Sequence, residues 1–436
     1  MAQAILAQGS GSRPQWGACQ VRPPAPECAC PAAMPEADGP DSLPAKGLSI
    51  LICGGGNGAH AFAGAVAHRG AAVHVYTPLQ EEVDRWSSGG LCMTCHYTAD
   101  GTSTAASPAL VTTDPQAAAA GADIAIVVLP TSLHEGALRA VGPHLPPGTP
   151  IGTVEGAWWG RPPLGPGVID HLTFFGIDTL PWVARIRDYG KSVDIQGTKE
   201  VWVASSPMGK GDEVASLLQR LVGVKFTRGS NLLSLFSLDL SLIIHPGLMY
   251  GKCKDWDGTP FDEAPLFYHG MDSHIAEVME AMDAEAQGIK KALLARYPDL
   301  DLSDSLPTLE WLHDAYGDKI ADKSTFQTSF TTNASYAGLR FPVKDAPDAP
   351  GKKVYQFDYR YLTADVPYGL LVMRGIAELL DCPTPTIDAA IVWAQERLGK
   401  EWLVDGKVAG GDLEQTRAPQ KFGLRTLEEL MADAAA

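Results

Sequence analysis

Basic side chains are scarce in this 436-residue chain: 34 Lys and Arg stand against 51 Asp and Glu, a formal charge of −17. Such a field repels phosphate backbones and anionic lipid heads, which disfavours nucleic-acid and membrane partners. Long apolar runs are missing as well, and none approaches the ~18–20 residues that a membrane span needs. Cysteine is thin, with eight residues at 19, 28, 30, 53, 92, 95, 253 and 382 that lack the spacing of a disulfide framework. Reduced thiols in a cytoplasmic protein are the simplest reading. No metal-ligand spacing is found, so no metal is expected. What is plentiful is apolar surface, 45% of residues, enough to bury sizeable cores in two or three domains of ~150 residues each.

Residues 1–46 are rich in Pro, Gly and Ala and show no hydrophobic period. The apolar stretch Ala4-Ile5-Leu6-Ala7 is too short for a secretory signal, and the segment reads as a disordered tail. Cys92-Met93-Thr94-Cys95-His96 matches the C-x-x-C-H pattern of c-type haem attachment. It lies in a Thr-rich, extended stretch without an export signal, so the match is read as coincidence.

At Lys46 the character changes. Leu48-Ser49-Ile50-Leu51-Ile52-Cys53 leads into Gly54-Gly55-Gly56-Asn57-Gly58-Ala59. A helix-competent stretch from His60 to Arg69, Gly70 and a strand over 72–76 follow. Strand, glycine loop, helix and strand in ~30 residues is the context that turns G-x-G-x-x-G/A into evidence for a dinucleotide. Gly54 permits the tight turn, Gly56 lets the backbone approach a pyrophosphate, and Ala59 allows close helix–strand packing. The helix N-terminus adds N–H donors and positive potential. Expected cofactor contacts are Gly54, Gly56, Asn57, Gly58, Ala59 and Thr77. The ribose acid usual at the end of the second strand is missing, for Thr77, Pro78 and Leu79 follow Tyr76, with Glu81, Glu82 and Arg85 slightly later. No Arg or Lys directly follows the strand either, and NAD is favoured over NADP.

The apolar run 124–129 reads as a parallel strand covered on both faces, with further strands at 150–154 and 200–204. After about residue 230 the period becomes helical, as in Ile275, Val278, Met279, Met282, Ile289 and Leu293. Residues 387–399 and 425–432 also read as helices, and 338–356 as a surface connection. The expected class is α/β: a Rossmann-type doubly wound sheet over 47–230, then a mostly α-helical C-terminal domain over 231–436.

The loop Gly54–His60 resembles that of the opine dehydrogenases, the octopine dehydrogenase-like family. Two segments carry the resemblance more specifically: Ile243-Ile244-His245-Pro246-Gly247-Leu248-Met249-Tyr250-Gly251, and Tyr359-Arg360-Tyr361-Leu362-Thr363-Ala364-Asp365-Val366-Pro367. It covers residues 47–405, with the motifs in the right order. The resemblance implies NADH-dependent reductive condensation of an amino acid with a 2-oxo acid, commonly pyruvate, through an imine. It implies that His245 and Asp365 form a catalytic dyad, that Arg360 holds the substrate carboxylate, and that His134 stands near the nicotinamide.

The chemistry asks for the same groups. Imine reduction needs an acid/base that shuttles protons as a carbinolamine forms and collapses, a cation for the oxo acid, and a hydride donor. A histidine titrates near neutrality, and a planar guanidinium fork suits a carboxylate. Glu155 follows a strand and is placed to receive the incoming amine, with a loop hydrogen-bond acceptor as the plainer role. Plainer roles also exist for His245 (ending a helix near 232–243), Asp365 (capping the helix near Pro367), Arg360 (pairing with Asp358) and His134 (starting a helix). Trp158 and Trp159 read as packing. Two rival functions remain: another two-domain NAD(P)-dependent hydroxy-acid or polyol-phosphate dehydrogenase, and a non-catalytic nucleotide-binding protein. The first would place a Lys on the opening helix of the second domain, and 230–244 contains none. The residues name neither the amino acid nor the oligomeric state.

Overall fold

A computed structural model describes residues 44–434, apart from 157, 239 and 240. The expected disordered tail therefore lies outside the described residues up to position 43. Its last residues form a turn in which Ala45 is buried and its amide donates to the Arg69 carbonyl.

The first domain opens with β1 (Ser49–Cys53), α1 (Asn57–His68), β2 (Ala72–Tyr76) and α2 (Gln80–Ser88). There follow β3 (Met93–Tyr97), β4 (Ser103–Ala106), β5 (Leu110–Thr112), α3 (Pro115–Ala119), β6 (Ile124–Val127) and α4 (His134–Val141). The remaining strands are β7 (Pro150–Val154), β8 (Thr173–Ile177), β9 (Trp182–Asp188), β10 (Ser192–Thr198), β11 (Val201–Ser206) and β12 (Phe226–Arg228), with α5 (Gly211–Val222) before the last. Eight of these form one sheet in the order β12-β11-β8-β7-β6-β1-β2-β5, parallel at every pair except β11 with β8. Every residue of β6 is buried, as a continuous apolar run between two helical layers requires. The strand order reverses between β1 and β6, and ligands of such sheets bind beyond the carboxyl ends there.

A second sheet, β4-β3-β10-β9, covers α1. Nothing in the local pattern announces it, because β3 pairs with β10 across about a hundred residues. The cysteine motif is part of it. Cys95 is buried in β3 and burial pushes its thiol up to about 12, far from redox or metal reactivity.

The second domain is built from α6 (Ser241–Cys253), α7 (Ser273–Arg296), α8 (Thr308–Tyr316), α9 (Phe326–Thr331), α10 (Arg360–Thr363), α11 (Leu371–Leu379), α12 (Pro385–Leu398) and α13 (Leu427–Ala434). The six apolar residues expected along 275–293 are all buried, and Asp272 caps α7 through the Ile275 amide. The stretch 338–356 is more than a connection, since β13 (Val343–Asp345) and β14 (Lys353–Tyr355) pair within it. One expectation about apolar runs needs correction. Leu233–Cys253 is long and apolar enough to cross a membrane, but 73% of its apolar window is buried inside the protein, as in a core helix.

Gly64 tests how α1 meets the second sheet. A Cβ there would lie 2.5 Å from Cys95 Sγ and 2.7 Å from Met93 Cγ. Helix propensity alone would reward Gly64→Ala by ~1 kcal/mol. Overpacking costs ~1–3 kcal/mol and should win, so thermal or urea unfolding should show the variant destabilised.

Candidate active site

The glycine loop is shaped for a dinucleotide. Gly54 has φ +139°, and a Cβ on it would overlap the Val128 carbonyl at the end of β6. A Cβ on Gly56 would meet open space, and this N-cap makes no side-chain hydrogen bond to the helix. Around Gly56 nothing crowds the first N–H groups of α1, which fits a pyrophosphate. Gly58 packs: its Cβ would come within 2.7 Å of Leu180 and Val128, and Ala59 is fully buried. Asn57 commits its side chain to the protein. Its side-chain oxygen accepts from the Ile186 amide at 2.8 Å, which ties β9 to the start of α1. Thr77 is buried and its hydroxyl donates to Glu82 at 2.5 Å.

His245 does not end a helix; it sits within α6, one residue before an internal proline. Pro246 has no N–H for the Leu242 carbonyl one turn earlier. Asp365 occupies the N-cap of the turn Val366–Leu370 but makes no capping bond. Its carboxylate instead accepts from His245 Nδ1 at 2.7 Å. The other ring nitrogen, Nε2, is 3.0 Å from the Tyr268 hydroxyl. Burial, then the neighbouring Tyr361 and Tyr316, hold the Tyr268 phenol above its usual range, so it stays protonated and donates. With Asp365 fixing the proton on Nδ1, Nε2 is left as the base. Tyr361 stacks on the imidazole at 4.0 Å and 16°. Neither Tyr268 nor Tyr361 was singled out from the sequence, although Tyr361 lies inside the quoted motif.

Arg360 is exposed at the start of α10, its guanidinium 5.9 Å from the Tyr361 ring. Glu155 follows β7 with φ 58°, a left-handed conformation that a non-glycine residue adopts at a cost of ~1–3 kcal/mol. Loss of hydration in the surrounding protein raises its carboxyl pKa; Arg360 and Lys199 pull it back, while Asp365 raises it. Glu155 therefore shares one electrostatic neighbourhood with Arg360 and Asp365, although the side chain retains exposed surface.

His134 is placed differently from expectation. It is fully buried, Nε2 donates to the Leu129 carbonyl at 2.9 Å, and Nδ1 faces the Arg417 guanidinium at 3.3 Å. Burial and the Arg417 charge bring its pKa down to about 3, so it is neutral. With both nitrogens taken by protein, it braces the loop after β6 and offers nothing to a substrate. Arg417, which carries no local motif, comes from the C-terminal segment, donates to Thr131 O at 2.9 Å and lies 4.1 Å over the Trp158 ring. Trp158 and Trp159 are buried against Phe174 and Phe422, as packing residues are.

Comparison with known proteins bears on this arrangement. Residues 229–398 match the family model of the NAD/NADP octopine/nopaline dehydrogenase alpha-helical domain. The chain is 37% identical over 400 residues to an octopine dehydrogenase of Mizuhopecten yessoensis, covering 88% of this chain and 98% of that one. It is 36% identical over 403 residues to a tauropine dehydrogenase of Arabella iricolor, covering 88% and 99%. Among solved structures, octopine dehydrogenase with NADH and L-arginine superposes with a TM-score of 0.79 at 33% identity, over 89% of this chain and 98% of that one. The complex of octopine dehydrogenase with NADH and pyruvate gives 0.77 at 32%, over 88% and 98%. Identity at this level along nearly the whole of both chains makes this protein a member of the octopine/nopaline dehydrogenase family, an NAD(P)-dependent oxidoreductase of the opine dehydrogenase type.

Proposed function

We propose that the chain reductively condenses an amino acid with pyruvate, using NADH, with His245 as acid/base. The observation that carries the reading is the His245–Asp365 pair at 2.7 Å, formed by the two motifs that carry the family resemblance. Relatives crystallised with NADH, arginine and pyruvate support the substrate classes. Buried, unreactive thiols at Cys53, Cys95 and Cys253 suit a reducing compartment and so a cytoplasmic enzyme.

Residues 54–59 would hold the dinucleotide through backbone N–H groups at the start of α1. The bound cofactor supplies the hydride. Arg360 takes the oxo acid's carboxylate in its fork, which leaves the carbonyl carbon open to an amine. From the ammonium, His245 Nε2 relays two protons in turn to the carbonyl oxygen, one as the nitrogen adds to form the carbinolamine and one as that collapses, so the oxygen leaves as water and the protonated imine remains. Asp365 steadies the imidazolium that exists between those transfers. Tyr268 holds the ring's other face of hydrogen bonding until substrate takes its place. Glu155 receives the amino acid's ammonium, its strained loop setting the carboxylate towards Arg360.

The direct test is NADH oxidation with pyruvate and a panel of amino acids that includes arginine and taurine. Oxidation that needs both partners supports the reading; oxidation with the oxo acid alone would make the protein a hydroxy-acid dehydrogenase. His245→Gln should lower kcat by ~10²–10⁴-fold while NADH still binds. Asp365→Asn should also lower kcat, because an amide neither balances the imidazolium nor accepts only from Nδ1–H. Arg360→Lys keeps charge but loses the fork, and should raise the oxo acid's KM by about tenfold with little change for NADH.

A further inference from the structure

The position at the end of β2 where a ribose-binding acid normally stands is filled by Thr77, and Thr77 does not face outward alone. Its hydroxyl donates to Glu82 Oε2 at 2.5 Å, and that carboxylate comes from the first turn of α2, five residues on. The same oxygen, Oε2, abuts the glycine loop: a Cβ on Gly55 would overlap it. The same missing Cβ would lie 2.7 Å from the Tyr189 hydroxyl at the β9–β10 turn. That hydroxyl is buried beside the Glu82 carboxylate. Burial first, and the Glu82 charge second, raise the Tyr189 phenol pKa, which keeps it a donor. Arg85, the nearest cation on α2, is drawn over the Tyr189 ring at 3.6 Å.

We infer that Glu82, aimed by Thr77 beside Gly55, is the carboxylate that reads the adenosine ribose and selects NADH over NADPH. This rests on the cofactor reading above. In doubly wound folds the ribose acid accepts from the 2′-hydroxyl next to the first glycines, and its charge excludes a 2′-phosphate. Here the acid is displaced by six residues from the last strand residue, Tyr76, and a threonine bridges the gap. Gly55 is thereby required for room: any side chain there would strike the acid.

The test is binding, which needs no turnover. Dissociation constants for NADH and NADPH are measured by cofactor fluorescence or calorimetry for the wild-type chain, Glu82→Gln and Glu81→Gln, with thermal melting to establish that each is folded. Wild type should hold NADH at least ~10-fold more tightly than NADPH, the worth of one charge-assisted hydrogen bond. Glu82→Gln should weaken NADH, strengthen NADPH and narrow their ratio by ~10-fold or more. Glu81→Gln, on an exposed neighbour, should leave the ratio where it was. A wild-type chain without NADH preference, or a folded Glu82→Gln protein with the wild-type ratio, would overturn the assignment. A chain that passes this test yet oxidises NADH with no amine and oxo acid keeps Glu82 in its role and loses only the condensation reaction.

Discussion

The hydrogen bond between His245 and Asp365 is the constraint around which the site is arranged. It joins residues 120 positions apart, on α6 and on the turn before α11. An acceptor carboxylate on Nδ1 decides the tautomer, and the tautomer decides that Nε2 is the free base. Tyr268 then has only one way to bond, as donor, and the stacked Tyr361 prevents the ring from tilting away. Both residues of the pair are about a quarter exposed, which leaves a substrate room to reach Nε2 and keeps the interaction from paying full desolvation.

Around that pair the two domains contribute different physics. The sheet domain supplies fixed backbone: open N–H groups at α1, and a strained turn that presents Glu155. The helical domain supplies the titrating and charged side chains, His245, Asp365 and Arg360. Arg417 links them from behind, since its guanidinium reaches Thr131 and His134 on the loop after β6. A buried cation with only neutral direct partners is costly, and burial lowers its pKa to about 9. Its contact with Trp158 recovers part of that cost. The neutral, buried His134 belongs to this brace, which is why a histidine at the carboxyl end of a strand turned out to be structural.

Legibility followed the range of the interactions. β6 and β7, α7 and the glycine loop are local patterns, and their apolar period or glycine spacing is sufficient to read them. The second sheet is not local: β6, β7 and β8 of the main sheet lie between β3 and its partner β10 along the chain. Glu82 stands between these cases. It was visible six residues past Tyr76, but only its bond to Thr77 and its fit against Gly55 distinguish it from Glu81 next door.

By itself, then, the sequence determined the order of the two domains, the dinucleotide loop and the presence of a histidine, an arginine and an aspartate in two specific motifs. Those are properties of neighbours along the chain, and periodicity and spacing record them directly. Tertiary structure alone decided that Asp365 turns to His245 instead of capping its own helix, that Tyr268 completes the dyad, and that His134 and Asn57 spend their side chains on protein partners. A polar side chain takes whichever partner folding brings within hydrogen-bond reach, and for these four the partners lie between 5 and 283 residues away.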